Sequence, residues 1–141
     1  MNGLIETCRD GELGFLTAAA HVQSPALKEL FGQMSAQRAR IAADLTPHAQ
    51  RLGGDAAGDG TNAAALHRHW IDVKSALRRH DDHAILVEVE RGDAVTLRTF
   101  EDAIGGMLPP DSRDVVERVY AELTQAHAMI ASVDRARHAQ T

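Results

Sequence analysis

The chain lacks most of the features that make chemistry easy to read from a sequence. It holds one cysteine, Cys8, so no intramolecular disulfide can form. A lone thiol suits a reducing compartment, and the expected location is the cytoplasm. Aromatic residues make up only 4% of the chain. Alanine, leucine and valine carry the apolar content instead, which favours helix packing over a β-sandwich. No run approaches the ~18 apolar residues of a membrane span. The opening MNGLIETCRDG has neither the basic start nor the apolar stretch of a secretory signal. Positive charge is in the minority, with a net charge of -5, so there is no basic patch for nucleic acid. Also missing are a phosphate-binding glycine loop, a nucleophile elbow and a zinc-spaced Cys/His set.

What is present reads almost entirely as helix. The 141 residues suit one domain with its own core. Helices are expected over about 2–22, 25–52, 62–79, 82–105 and 110–137. Ser24 with Pro25 opens the second of them, and Asp81 or Asp82 caps the fourth. Pro109-Pro110 with Asp111 opens the fifth, and the tail RARHAQT is expected to fray. GGDAAGDG, within residues 53–61, is the clearest linker. Pro47 falls inside the second helix and predicts a kink. Arg9-Asp10-Gly11-Glu12 is weakly echoed by Glu90-Arg91-Gly92-Asp93. Each places a glycine beside an acid in mid-helix, where glycine costs ~1 kcal/mol relative to alanine.

Four of the apolar stripes are interrupted. Ile5, Cys8, Phe15, Ala19 and Val22 enclose Glu12; Leu30, Met34, Ile41 and Leu45 enclose Gln37 and Arg38. Leu86, Leu97, Phe100 and Ile104 enclose Glu90 and Asp93; Val116, Val119, Leu123 and Ile130 enclose His127. Ionisable side chains are rarely buried without partners. Four such breaks therefore point to one shared polar centre, whether a metal site, a degraded metal site or a salt-bridge network.

Helix rise turns the breaks into a topology argument. Measured from the first turn, Glu12 lies roughly 16 Å down and Gln37 roughly 18 Å down, at ~1.5 Å per residue. Glu90, Asp93 and His127 reach the same level, roughly 12–16 Å down, only if residues 62–79 travel back along the bundle. The fold class expected is all-α: an antiparallel four-helix bundle with a crossover helix between its second and third members. That is the ferritin-like arrangement.

At LIETCRDGELGF, QRARIAADL with RLGG, ALHRHWIDVKSAL, AILVEVERGDA, Pro109-Pro110, VERVYAEL and His127, the chain resembles a bacterial family of ferritin-like four-helix-bundle proteins of unassigned function. The resemblance spans nearly the whole chain in order, and HRxW and ERGD are its more specific pieces. It implies a ferritin-like fold and no particular reaction, substrate or cofactor.

Metal-binding ferritin-like proteins carry a glutamate on two helices and a Glu-x-x-His on the other two. Here Glu12 suits the first position and Glu90 or Asp93 the third. The second helix, however, offers Gln37 and Arg40, and the last keeps only His127, with Thr124 in place of glutamate. A di-iron site needs several anionic oxygens. The leading expectation is a non-enzymatic, stress-associated or binding role. In that reading Glu12, Glu90, Asp93 and His127 form a buried network with Gln37, Arg38, Arg40 or Arg91. The alternative is an iron or manganese oxidase or storage protein in which Glu12 and Glu90 bridge or flank the metal and His127 supplies nitrogen.

Three smaller readings complete the picture. Cys8 is expected as a small core residue. His67-Arg68-His69-Trp70 is expected to dock the crossover helix, with Trp70 as its anchor. His80 and His83 flank Asp81-Asp82 in what reads as a solvated loop. No nucleic-acid or membrane partner is expected. A homodimer is, paired through Leu27, Leu30 and Phe31 near one bundle end.

Overall fold

Ser24 and Asp81 fix where two of the helices begin. Ser24 is extended, and its Oγ accepts from the Leu27 amide at 3.3 Å. Pro25 follows at the first helical position, where its missing N–H is not needed. The Asp81 carboxylate accepts from the His83 and Ala84 amides at 3.0 and 3.4 Å. This computed structural model describes residues 1–52, 77 and 81–139. Among them the chain is all helical: α1 (Asn2–His21), α2 (Pro25–Arg51), α3 (Asp82–Ile104) and α4 (Pro110–Ala139). Helix α2 continues through Pro47 to Arg51. No described helix is long and apolar enough to cross a membrane. The expected linker at 53–61, His80 and the helix expected at 62–79 lie outside the described residues. The one exception is Leu77, which is helical and buried.

The core divides into two apolar clusters, and the order in which each helix visits them gives its direction. Helix α1 enters through Leu4, Ile5 and Cys8 of one cluster and leaves through Phe15, Ala18 and Val22 of the other. Helix α2 runs the opposite way, from Leu27, Leu30 and Met34 to Ile41 and Leu45. Helix α3 follows α2, from Ile85 and Val89 to Phe100, and α4 follows α1, from Val116 to Ile130. Helices α1 and α4 each pack against both α2 and α3. The remaining pairs, α1 with α4 and α2 with α3, make no close backbone approach among the described residues and face each other on diagonals. All neighbours are therefore antiparallel, and both diagonals are parallel. Each fully buried Leu, Ile or Phe of this core contributes about 1.5–3 kcal/mol of transfer free energy.

Polar contacts fasten both ends. At one end the Asp82 carboxylate accepts from the Gln23 and Ser24 amides, each at 2.9 Å. Asp81 is thus the cap of α3, whereas Asp82, the other candidate, holds the α1–α2 turn. At the far end Arg51 pairs with Asp111 at 3.0 Å, and His48 Nδ1 lies 3.0 Å from Ser112 Oγ. There Arg113 donates to the carbonyls of Ile104 and Gly106, covering acceptors that α3 leaves without intrahelical partners. The end of α2 and the start of α3 consequently lie at opposite ends of the bundle.

Leu27, Leu30 and Phe31, expected to pair two copies of the chain, are buried in its own core. Burial there leaves them no surface to offer a second copy. The buried hydroxyls of Thr7, Thr96 and Thr99 are satisfied locally, each donating to the carbonyl four residues earlier.

Candidate functional site

A polar layer separates the two apolar clusters. Its centre is Asp93 on α3, whose side chain is fully buried. Asp93 Oδ1 accepts from Arg38 Nη2 at 2.7 Å, and Oδ2 lies 2.9 Å from His127 Nδ1. Helices α2 and α3 are diagonal, so the Arg38 side chain crosses the middle of the bundle to reach Asp93. His127 arrives from α4, which packs against both. Because a carboxylate only accepts, the short His127 contact places a proton on Nδ1.

Helix α1 supplies the space and the apolar wall. A Cβ on Gly11 would meet Arg38 Cγ at 3.4 Å and Cδ at 3.7 Å. The arginine stem thus lies alongside the α1 backbone, at a distance where a Cβ would make ordinary van der Waals contact. One turn on, the Phe15 ring sits under the guanidinium, with Cζ 5.2 Å from its centroid. That cation–π contact offsets part of the desolvation that a buried guanidinium suffers. Ser35 Oγ donates to the Glu12 carbonyl at 2.8 Å, closing the layer between α1 and α2. Arg38 Nε is buried without a hydrogen-bond partner among the described residues.

The hydrogen bond to Asp93 raises the His127 pKa above its ordinary 6.5, against the opposing effect of burial; the Asp93 and Glu90 charges add to the rise, and the Arg38 charge opposes it. The sign of the pH dependence follows. A group whose folded pKa is raised contributes stability that is fully present below the unfolded pKa and is lost as pH rises through the folded one. Stability from His127 is therefore expected to be complete below about pH 6.5 and to decline above it. Urea midpoints across pH 5–9 should show that decline in the native protein. His127→Gln should flatten it; an unchanged slope would mean that His127 does not sense Asp93.

The other residues singled out by the sequence fall elsewhere. Glu12 is half-buried, and it is its backbone carbonyl that meets Ser35. Gln37 is half-buried, with Oε1 lacking a partner among the described residues. It lines a groove between α2 and α4 with Gln33, Glu122, Gln125 and Met129. Arg40 is exposed and pairs with Glu122 at 2.6 Å and Asp44 at 3.4 Å. Arg91 is exposed and pairs with Glu88 at 3.1 Å. Both stand one or two residues from the inward positions, so helical rotation turns them to solvent. Glu90 lies beside Asp134, and burial, ahead of the Asp134 contact and charge, pushes its carboxyl pKa up. Burial likewise pushes the Cys8 thiol up to about 12, against the lowering effect of Arg38. Cys8 is therefore a protonated core residue.

Sequence reasoning passed over Asp134 and His138. They lie one helical turn apart near the end of α4, and His83 of α3 comes within 4.0 Å of Asp134. The i, i+4 spacing was the available signal, but His138 belongs to the segment read as a frayed tail.

A resident iron or manganese pair at the central layer fails on its donors. Asp93, the one fully buried carboxylate among the candidates, has each oxygen engaged by a side chain, one by a permanent cation. Glu90 is turned to Asp134. The layer thus offers a guanidinium where a divalent ion needs anionic oxygen.

A family model described as a domain of unknown function (DUF2383) matches residues 1–106, which takes in α1, α2 and α3. No curated protein matches the chain.

Proposed function

We propose, for a chain that belongs to the DUF2383 family, a non-enzymatic binding role in the cytoplasm, built on a ferritin-like bundle whose central metal layer is replaced by a structural ion pair. The observation that carries this reading is the 2.7 Å contact between Arg38 and the fully buried Asp93. The guanidinium lies in the polar layer between the two apolar clusters, and His127 takes the remaining Asp93 oxygen. Helix directions support the topology: neighbours are antiparallel, diagonals are parallel, and α2 and α3 start at the same end. A buried pair of this kind contributes less to stability than to uniqueness of packing, since wrong registers leave both charges unpaired. The groove between α2 and α4, lined by Gln33, Gln37, Glu122 and Gln125 together with Met34, Ala126 and Met129, offers a mixed polar and apolar surface to a partner.

Elemental analysis and anaerobic thermal unfolding with Fe(II) and Mn(II) test the reading on tag-free protein. The expected result is no metal whose binding depends on Asp93 or His127. Stoichiometric iron or manganese lost in Asp93→Asn or His127→Gln would overturn it in favour of an oxidase or storage protein.

A further inference from the structure

Away from the central layer, three potential ligand atoms converge where α3 begins and α4 ends. His83 Nδ1 lies 4.0 Å and His138 Nε2 lies 3.7 Å from the same Asp134 Oδ1. All three ligand atoms lie within 4.8 Å of one another. The two imidazoles meet edge to face, with centroids 4.9 Å apart. Neither contact to Asp134 is short enough to be a hydrogen bond, and Asp134 Oδ1 is buried without a hydrogen-bond partner among the described residues. The three groups thus face a common point without bonding one another.

We propose that His83, Asp134 and His138 bind one divalent first-row transition ion of the zinc, nickel or copper class.

The donor set fits that chemistry. Two imidazoles and a carboxylate suit borderline ions, whereas magnesium and calcium prefer all-oxygen shells. Ligands at ~2.0–2.1 Å in a tetrahedral shell lie roughly 3.3 Å from one another. The present separations need to close by a few tenths of an ångström to about 1.5 Å. Side-chain rotation supplies that, because the His83 and His138 side chains are 50% and 62% exposed. Asp134 and His138, one turn apart on α4, present donors to one side of the helix. Asp134 is the more buried anchor, at 17% exposure. The ion would clamp the first turn of α3 to the last turns of α4 and leave its fourth position to water or to a partner's side chain.

Chelator-stripped, tag-free protein titrated with Zn(II) by calorimetry tests the site, with Co(II) absorption as a report on geometry. The expected result is saturable one-to-one binding, a rise in unfolding midpoint with Zn(II), and at least tenfold weaker binding in each of His83→Ala and His138→Ala. Binding in His127→Gln should be unchanged. Both substituted histidines are exposed, so the variants should fold. Absence of saturable binding, or binding in the two histidine variants as tight as in the unsubstituted protein, would overturn the proposal and leave the central ion-pair reading standing. Stoichiometric binding abolished by His127→Gln would overturn both.

Discussion

Arg38→Ala is expected to cost about 3–5 kcal/mol of folding stability, the largest effect of any single substitution on the polar side of this core. The cost has three parts. Asp93 would keep a carboxylate with no exposure and lose its permanent counter-charge. The space over Gly11 and beside Phe15, now filled by the arginine stem, would empty. His127 alone would remain to satisfy Asp93, and its stabilising proton is lost as pH rises. Equilibrium urea unfolding at pH 7 gives the number. The double variant Arg38→Met with Asp93→Leu should recover most of the loss, because apolar side chains of similar volume need no counter-charge. A loss below about 1 kcal/mol in the single variant would mean that the pair is hydrated and does not hold the layer, since exposed pairs are worth that little.

The second large effect is expected at Asp82. Asp82→Ala should cost roughly 2 kcal/mol, the scale of charge-assisted hydrogen bonds to backbone amides. Its two oxygens each take one amide of the α1–α2 turn, at Gln23 and Ser24. One carboxylate thus joins the start of α3 to a turn 58 residues earlier in the chain. Denaturant unfolding measures the loss, and amide hydrogen exchange at Gln23 and Ser24 should speed up alongside it. Unchanged exchange there would show that the turn holds itself. The Gln23 contact is exposed and water can replace it in part, so the Ser24 amide should account for more of the loss.

Much of the frame was legible before any coordinates. Low aromatic content, alanine and leucine abundance and 3.6-residue stripes point to an all-helical chain, because these are local preferences that neighbouring residues settle among themselves. The start at Ser24 is written in its cap residue for the same reason, whereas Asp81 and Asp82 were equally good candidates for the start of α3. The interrupted stripes signalled a polar centre, and Arg38, Asp93 and His127 do meet. The partners were not legible. Arg38, Arg40 and Arg91 are chemically alike, and a rotation of one or two helical positions separates the buried arginine from the two exposed ones. Glu90 lies three residues from Asp93, yet it turns to Asp134 on the flank of the bundle. Nothing in their spacing says which of two acids faces the centre.

Local chemistry in the sequence therefore determined the four described helices, the cap at Ser24 and the place where each apolar stripe is interrupted. Which diagonal Arg38 crosses and how His83 comes to lie beside Asp134 and His138 were decided only by tertiary packing. The reason is physical. Helix propensity and capping act over a few residues, whereas the choice of partner for a buried charge depends on rotations of whole helices about their axes. Those rotations are set by the summed burial of two apolar clusters, contributed by residues from Leu4 to Ile130.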